Sequence, residues 1–172
     1  MDSDTLISFI PMEVIDECFC EVTSLFKKPI ADSSGFTRFQ NDDLLLAKIT
    51  PCMQNGKSVV ARGLTNGLGC GSTEFFIIRP RTNHLSIDYL QALLHMKATR
   101  RTAMLYFGGS AGQQRVSINF LENFSVPLPP YVKQQEIVEL ITEMRTNAKK
   151  LQAEGAEILQ KSKMEVERMI LG

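Results

Sequence analysis

The fold is decided by a stretch that begins at Gly109: GSAGQQRV (109–116), SINFLENFSV (117–126), PLPP (127–130), and then no further proline up to Gly172. It reads as a glycine-flanked polar loop, a short apolar segment, a proline stop and one uninterrupted helical pattern. Proline is tolerated in the first turn of a helix but not in its interior, so Pro129 and Pro130 set the start of the last helix. From Val132 to Ile170 that helix would span ~58 Å at 1.5 Å per residue, more than a domain of this size encloses. The expected organisation is a globular domain over 1–130 and a long helix over 131–172.

The pattern in the helix repeats every seven residues. Ile141, Ala148, Gly155, Ser162 and Met169 form one column and Met144, Leu151, Ile158 and Glu165 the other, the spacing of a seam against a second helix. Small side chains in the first column let two backbones approach closely. That gives Gly155 a packing reason, where glycine otherwise costs a helix roughly 1 kcal/mol relative to alanine. The alternative is a solvated single helix with an incidental stripe, but an exposed stripe of this length is an aggregation liability.

Working towards the N-terminus, Asn119 and Glu122 have the spacing of a capping box, which predicts one helical turn before Pro127. Ser86 is placed to cap a helix starting at Ile87. Its apolar face is Leu90, Leu93, Leu94 and Met96, with Arg100 and Arg101 at its C-terminal end. Leu44 to Thr50 is short, apolar and stopped by Pro51, as expected of a buried strand, and Ser58–Ala61 and Glu74–Arg79 read as further strands between glycine turns. The first 43 residues carry turn signals such as Asp32-Ser33-Ser34-Gly35 and read as short strands and loops. The expected class is α+β: a small mixed or antiparallel sheet with packed helices, followed by a long C-terminal coiled-coil helix.

With 172 residues, 44% of them hydrophobic, the chain has material for one sizeable core and no second enzyme domain. Cys18, Cys20, Cys52 and Cys70 form no CxxC pair or disulfide-like framework, and no apolar run approaches the ~20 residues of a membrane span. A reducing cytoplasm is the expected location, with no membrane partner. Lys+Arg and Asp+Glu both total 19, but the charge is unevenly spread. Residues 1–43 hold nine acids and three bases, residues 44–130 three acids and nine bases, and residues 131–172 seven of each. A basic middle segment can supply phosphate contacts although the whole chain is neutral. Alternatively, the two unlike segments fold against each other and cancel.

Motifs of catalysis fail on inspection. Leu128-Pro129-Pro130-Tyr131 approaches the motif of DNA amino-methyltransferases, in which an Asp, Asn or Ser precedes two prolines and an aromatic residue that stacks on a flipped base. Leu128 cannot accept the hydrogen bond that the motif requires, and Gly67 and Gly69 begin a GxGxxG-like spacing that ends in Ser72. Cys52 with His84 or His95 as base is outweighed by its reading as a small apolar filler beside a strand. Two histidines 11 apart and unpaired cysteines form no ligand set, so no metal or other cofactor is expected.

Fork-like and amide side chains on glycine turns are the stronger signal. Lys48, Asn55, Lys57 and Arg62 surround one turn, Ser72 and Thr73 follow another, and Gln113, Gln114 and Arg115 sit on a third. Glutamine pairs bidentately with adenine and arginine with guanine, while lysine, serine and threonine reach phosphate, so these nine are the candidate DNA-binding residues. For each of them, the competing role is satisfying a turn backbone.

The wording of this loop-to-helix stretch, with Leu46-Ala47-Lys48-Ile49-Thr50-Pro51-Cys52-Met53-Gln54-Asn55-Gly56-Lys57 and Gly69-Cys70-Gly71-Ser72-Thr73-Glu74-Phe75, resembles the DNA specificity subunit of type I restriction-modification systems. The resemblance runs from Ser8-Phe9-Ile10-Pro11-Met12 to Ile141. It implies a non-catalytic subunit that reads a split target on double-stranded DNA and carries methyltransferase subunits and, through them, restriction subunits. Family members have two recognition domains, each followed by a helix, with the helices antiparallel. One domain and one helix look like half of such a subunit. A homodimer would restore the pair through Ile141, Met144, Ala148, Leu151, Gly155, Ile158 and Ser162. The alternative is a coiled-coil interaction protein, or a truncated remnant, that pairs with another specificity subunit and does not read DNA.

Overall fold

The computed structural model describes residues 2–110 and 112–172; Ala111, within the GSAGQQRV loop, lies outside them. The chain divides into two compact units, one running up to Gln134 and the other spanning Gln135–Gly172.

Strands β1 (Leu6–Ile10), β2 (Ile15–Asp16), β3 (Glu21–Val22), β4 (Phe26–Pro29), β5 (Thr37–Gln40) and β6 (Leu44–Ala47) precede a short helix, α1 (Cys52–Asn55). Next come β7 (Ser58–Val60), β8 (Leu68–Gly71), β9 (Phe75–Ile78) and helices α2 (Ile87–His95) and α3 (Lys97–Met104). Strands β10 (Phe107–Gly108) and β11 (Arg115–Val116), the turn α4 (Ile118–Glu122) and α5 (Tyr131–Leu171) complete the order. One sheet is ordered β4-β1-β8-β5 and a second β7-β6-β9. All pairings in them are antiparallel except β1 with β8. The class is therefore α+β with a long C-terminal helix.

Strand β6 lies between two cores, which is why it reads LLLA without alternation. Successive side chains of a strand point to opposite faces. Leu44 and Leu46 join Met53, Leu90, Leu94 and Phe120 on one side. Leu45 joins Ile10, Phe39, Val59 and Phe75 on the other. Both faces being covered, no position of β6 tolerates a polar residue. The strand ends at Ala47, three residues short of Thr50, where the backbone leaves the β7 ladder.

Two glycines of the Gly69–Phe75 motif are required by close approach. A Cβ on Gly69 would strike the Phe39 ring, and one on Gly71 would strike the carbonyl oxygen of Ile10. Both lie on β8, the central strand shared by the parallel and antiparallel pairings, so the sheet closes only around bare backbone.

Three local expectations change. The helix from Ile87 does not continue to Arg101: Met96 adopts ψ 138, ends α2 and starts α3. Arg100 consequently lies in α3, donating to the carbonyl oxygens of His95 and Gln54, and Met96 is exposed rather than part of the apolar face. The cap of α4 is Ser117, whose Oγ accepts from the Asn119 N–H at 3.3 Å; Asn119 lies inside the helix. Ser117 holds the extended conformation an N-cap needs, with ψ 150, so it takes the role first.

Candidate nucleic-acid interface

The backbone beyond β6 joins the loops that the sequence singles out. The Lys48 N–H donates to the Glu74 carbonyl oxygen (2.9 Å), and the Lys48 carbonyl oxygen accepts from the Val116 N–H (2.8 Å). The Thr50 N–H donates to the carbonyl oxygen of Gln114 (2.9 Å). Segments 48–50, 72–74 and 113–115, far apart in sequence, therefore form one continuous strip.

An ion pair fixes its side chains. Arg115 Nη2 lies 2.7 Å from Glu74 Oε1 and Arg115 Nε 2.9 Å from Oε2, while Nη1 donates to the Gln113 carbonyl oxygen. Ser72 Oγ accepts from the Glu74 N–H at 3.1 Å, an ST-turn that orients the carboxylate. The hydrogen bond from Arg115 holds the Glu74 carboxyl below its ordinary range, with the charges of Arg115 and Lys48 acting in the same sense. Lys48 Nζ sits 5.7 Å from the centre of the Phe76 ring. Thr73 and Gln113 are exposed and Gln114 is half-buried. The strip thus offers a lysine, an arginine, two hydroxyls and two amides around one carboxylate, an arrangement that can meet phosphates and base edges together.

The remaining predicted residues lie in other contacts. Asn55 donates to the Glu17 carboxylate (3.1 and 3.2 Å) and Lys57 Nζ to the Met12 carbonyl oxygen (3.2 Å), so both tie the α1 turn to the N-terminal segment. Arg62 pairs bidentately with Asp88 at 2.8 and 2.7 Å and reaches Asp42 at 3.3 Å, which raises its affinity for a proton. It lines a pocket of about 610 Å³ with Thr82, Asn83, Ser86 and Tyr131. Part of the charge asymmetry between segments does cancel in space: Arg62 meets Asp42, and Arg79 meets the fully buried Asp43.

Sequence reasoning missed Glu74 as the organiser of the strip; its place in the Gly69–Phe75 motif was the available signal. It also missed Gln134. That side chain is fully buried in the first turn of α5, accepting from the Ser86 N–H and donating to the carbonyl oxygens of His84 and Pro129. In the second unit, the seam positions Met144, Leu151 and Ile158 are 63–67% exposed. Ala148, Gly155 and Ser162 are also exposed, and Ile141 is half-buried. Among the described residues no helix is long and apolar enough to cross a membrane.

Residues 22–160 match the family described as the type I restriction modification DNA specificity domain. The specificity subunit of the type I restriction enzyme EcoEI of Escherichia coli is 39% identical over 140 residues, which are 80% of this chain and 23% of that subunit. The EcoAI specificity subunit, also of Escherichia coli, is 34% identical over 172 residues, 98% of this chain and 29% of that one. The chain thus spans less than a third of the length of these curated relatives. The HsdS subunit of Thermoanaerobacter tengcongensis has the same fold, with a TM-score of 0.69 at 16% identity over 94% of this chain and 41% of its own. A structure described for complex assembly and conformational transition of the type I R-M system superposes with a TM-score of 0.73 at 17% identity, covering 92% of this chain and 40% of its own.

Proposed function

This chain belongs to the family of type I restriction-modification DNA specificity domains, and from that premise we propose that it is a non-catalytic reader of double-stranded DNA. The observation that carries the reading is the convergence of segments 48–50, 72–74 and 113–115 on the Glu74–Arg115 pair. Lys48, Ser72, Thr73, Gln113, Gln114 and Arg115 then face the DNA. Asn55, Lys57 and Arg62, engaged in internal contacts, shape the domain around that surface. Domain 1–130 reads, and helix 131–172 pairs with a second helix.

In this reading the protein brings methyltransferase subunits, and through them restriction subunits, to a split target. It acts as a homodimer through Ile141, Met144, Ala148, Leu151, Gly155, Ile158 and Ser162. Methyl transfer belongs to the partner, and the chain itself needs no cofactor.

The test is selection from randomised duplex DNA by the chain together with a methyltransferase subunit. An enriched sequence whose affinity falls with salt and is weakened by Lys48→Glu or Arg115→Glu supports DNA reading. Enrichment of no sequence, with no salt-dependent binding, would leave the interaction-protein reading. That second reading is favoured by the use of Arg62, Arg79 and Arg115 in internal ion pairs, which lowers the free positive charge.

A further inference from the structure

The four-stranded sheet carries an aromatic cluster that the proposed DNA-reading strip does not use. Phe9 pairs with Phe26 across β1 and β4, and with Cys70 across β1 and β8. Phe36 immediately precedes Thr37, which pairs with Gly71. The rings of Phe9 and Phe36 meet edge to face at 5.1 Å, and Lys28 Nζ sits 4.0 Å and 4.1 Å from their centres. Phe26 is 49% exposed and Phe36 37%. Neither is the interior residue that a phenylalanine normally is.

Two observations say what covers this patch. The first is continuity. The parallel strands β1 and β8 both end here, at Ile10 and Gly71, and Ser72, Thr73 and Glu74 follow Gly71 directly. The cluster therefore borders the turn that holds Glu74 against Arg115. The second is charge. The segment 1–43 holds nine acids and only three bases, and all three bases, Lys27, Lys28 and Arg38, lie on β4 and β5 of this sheet. Aspartates 2 and 4 lie before the start of β1, while Asp42 and Asp43 follow the end of β5, both away from the phenylalanine end. An exposed ring beside ammonium groups on a sheet is the arrangement that stacks a nucleobase while neutralising its phosphates, and stacking of this kind accepts any base.

We propose that Phe26, supported by Phe9, Phe36 and Lys28, is a platform on which an unpaired base of the bound DNA stacks. The proposal rests on the DNA-reading function above and extends the contact surface from the strip onto the sheet. Lys28 caps the Phe9 and Phe36 rings and leaves Phe26 as the open one. An unpaired base arises wherever a partner enzyme extrudes its target from the duplex, since chemistry on a base requires taking it out of the stack. The platform gives the vacated strand a place to rest beside the loops that hold the backbone.

The chain has no tryptophan, so Phe26→Trp introduces a single indole reporter at the platform. Full-length protein carrying it is titrated at low salt with a paired duplex, the same duplex with one bulged thymine, and an oligothymidylate strand. Anisotropy of labelled DNA is followed in parallel. Expected are quenching of the indole by the bulged duplex and the single strand, with little by the paired duplex, and an affinity about tenfold weaker for both unpaired probes in Phe26→Ala. Arg115→Glu should weaken all three probes.

Binding of DNA with no quenching and no loss in Phe26→Ala would overturn the platform and leave DNA reading standing. Absence of binding to every probe by a folded protein would overturn both. An indole shift with the methyltransferase subunit alone, and none with DNA, would assign the face to protein docking instead. Should Phe26→Ala fold poorly, the quenching of Phe26→Trp still decides.

Discussion

Arg115 and Glu74 set the sign of two measurements. Their pair leaves Arg115 half exposed, so its charge is offset by a carboxylate that itself faces DNA in the proposed complex. Glu74→Gln removes one negative charge from that surface and frees the guanidinium; it should strengthen sequence-independent binding severalfold at low salt, on the order of one counterion's worth of slope. Arg115→Gln should weaken it by a similar factor. Filter binding over a salt series checks both, and a loss of affinity in Glu74→Gln would mean that the carboxylate itself contacts a base. The same pair predicts a pH dependence. Arg115 holds the Glu74 carboxyl below its ordinary value of 4.5, so the pair's contribution to stability is present above that value and is lost as the pH falls through the lowered one. The difference in melting temperature between wild type and Glu74→Gln should be constant near neutrality and vanish in acid. A difference that instead grows in acid would contradict the pairing.

At the scale of elements, Gln134 joins the first turn of α5 to the loop before α2. Its amide closes three backbone groups at once: the Ser86 N–H and the carbonyl oxygens of His84 and Pro129. Gln134→Ala leaves those groups unpaired at a fully buried site, and a loss of roughly 2–3 kcal/mol is expected in denaturant unfolding. An unchanged midpoint would show that water replaces the amide. The structure also explains which elements were legible in the sequence. Strand β6 and helix α5 announce themselves by an unbroken apolar run and by an unbroken helical pattern after Pro130, because each has a single environment along its length. The break at Met96 was hidden, since nothing in Leu93-Leu94-His95-Met96-Lys97 forbids a continuous helix; the turn is imposed where Arg100 folds back onto the His95 and Gln54 carbonyls. The parallel pairing of β1 with β8 was equally hidden, because register across some sixty residues leaves no local pattern. Lys48, Ser72, Thr73, Gln113, Gln114 and Arg115 were visible as loop residues, but that they share one strip is a property of backbone hydrogen bonds that the sequence does not print. Asn55, Lys57 and Arg62 had the same chemistry and were drawn into internal contacts by Glu17, Met12 and Asp88.

For the whole molecule, the proposed homodimer has a preferred register. Antiparallel helices bring one heptad column of the first copy opposite the other column of the second. Centred between Ala156 and Glu157, this pairing sets Gly155 against Ile158 of the second copy, Ser162 against its Leu151 and Met169 against its Met144, so that two of the three layers match a small residue with a large one. The flanking positions then place Glu154 beside Lys161 of the second copy, twice by symmetry. Shifting one heptad either way sets Glu154 against Glu154 or Lys161 against Lys161, which like charge disfavours. Within one chain Lys150–Glu154 and Glu157–Lys161 are exposed pairs at 3.9 Å and 2.7 Å, each worth ~0–1 kcal/mol, too little to hold these side chains from a partner. Light scattering should therefore give twice the chain mass for wild type, a weakened dimer for Glu154→Lys, and recovery in Glu154→Lys combined with Lys161→Glu. Leu151→Asp, which strands a charge in the seam, should give monomer or aggregate. A wild-type monomer at tens of micromolar would refute the homodimer, and a dimer indifferent to charge reversal would refute the register alone. Because two identical readers related by a two-fold axis see identical half-sites, DNA selected by the dimer should be a split palindrome with one fixed spacer. Asymmetric selected sites would require a second, different chain to read the other half.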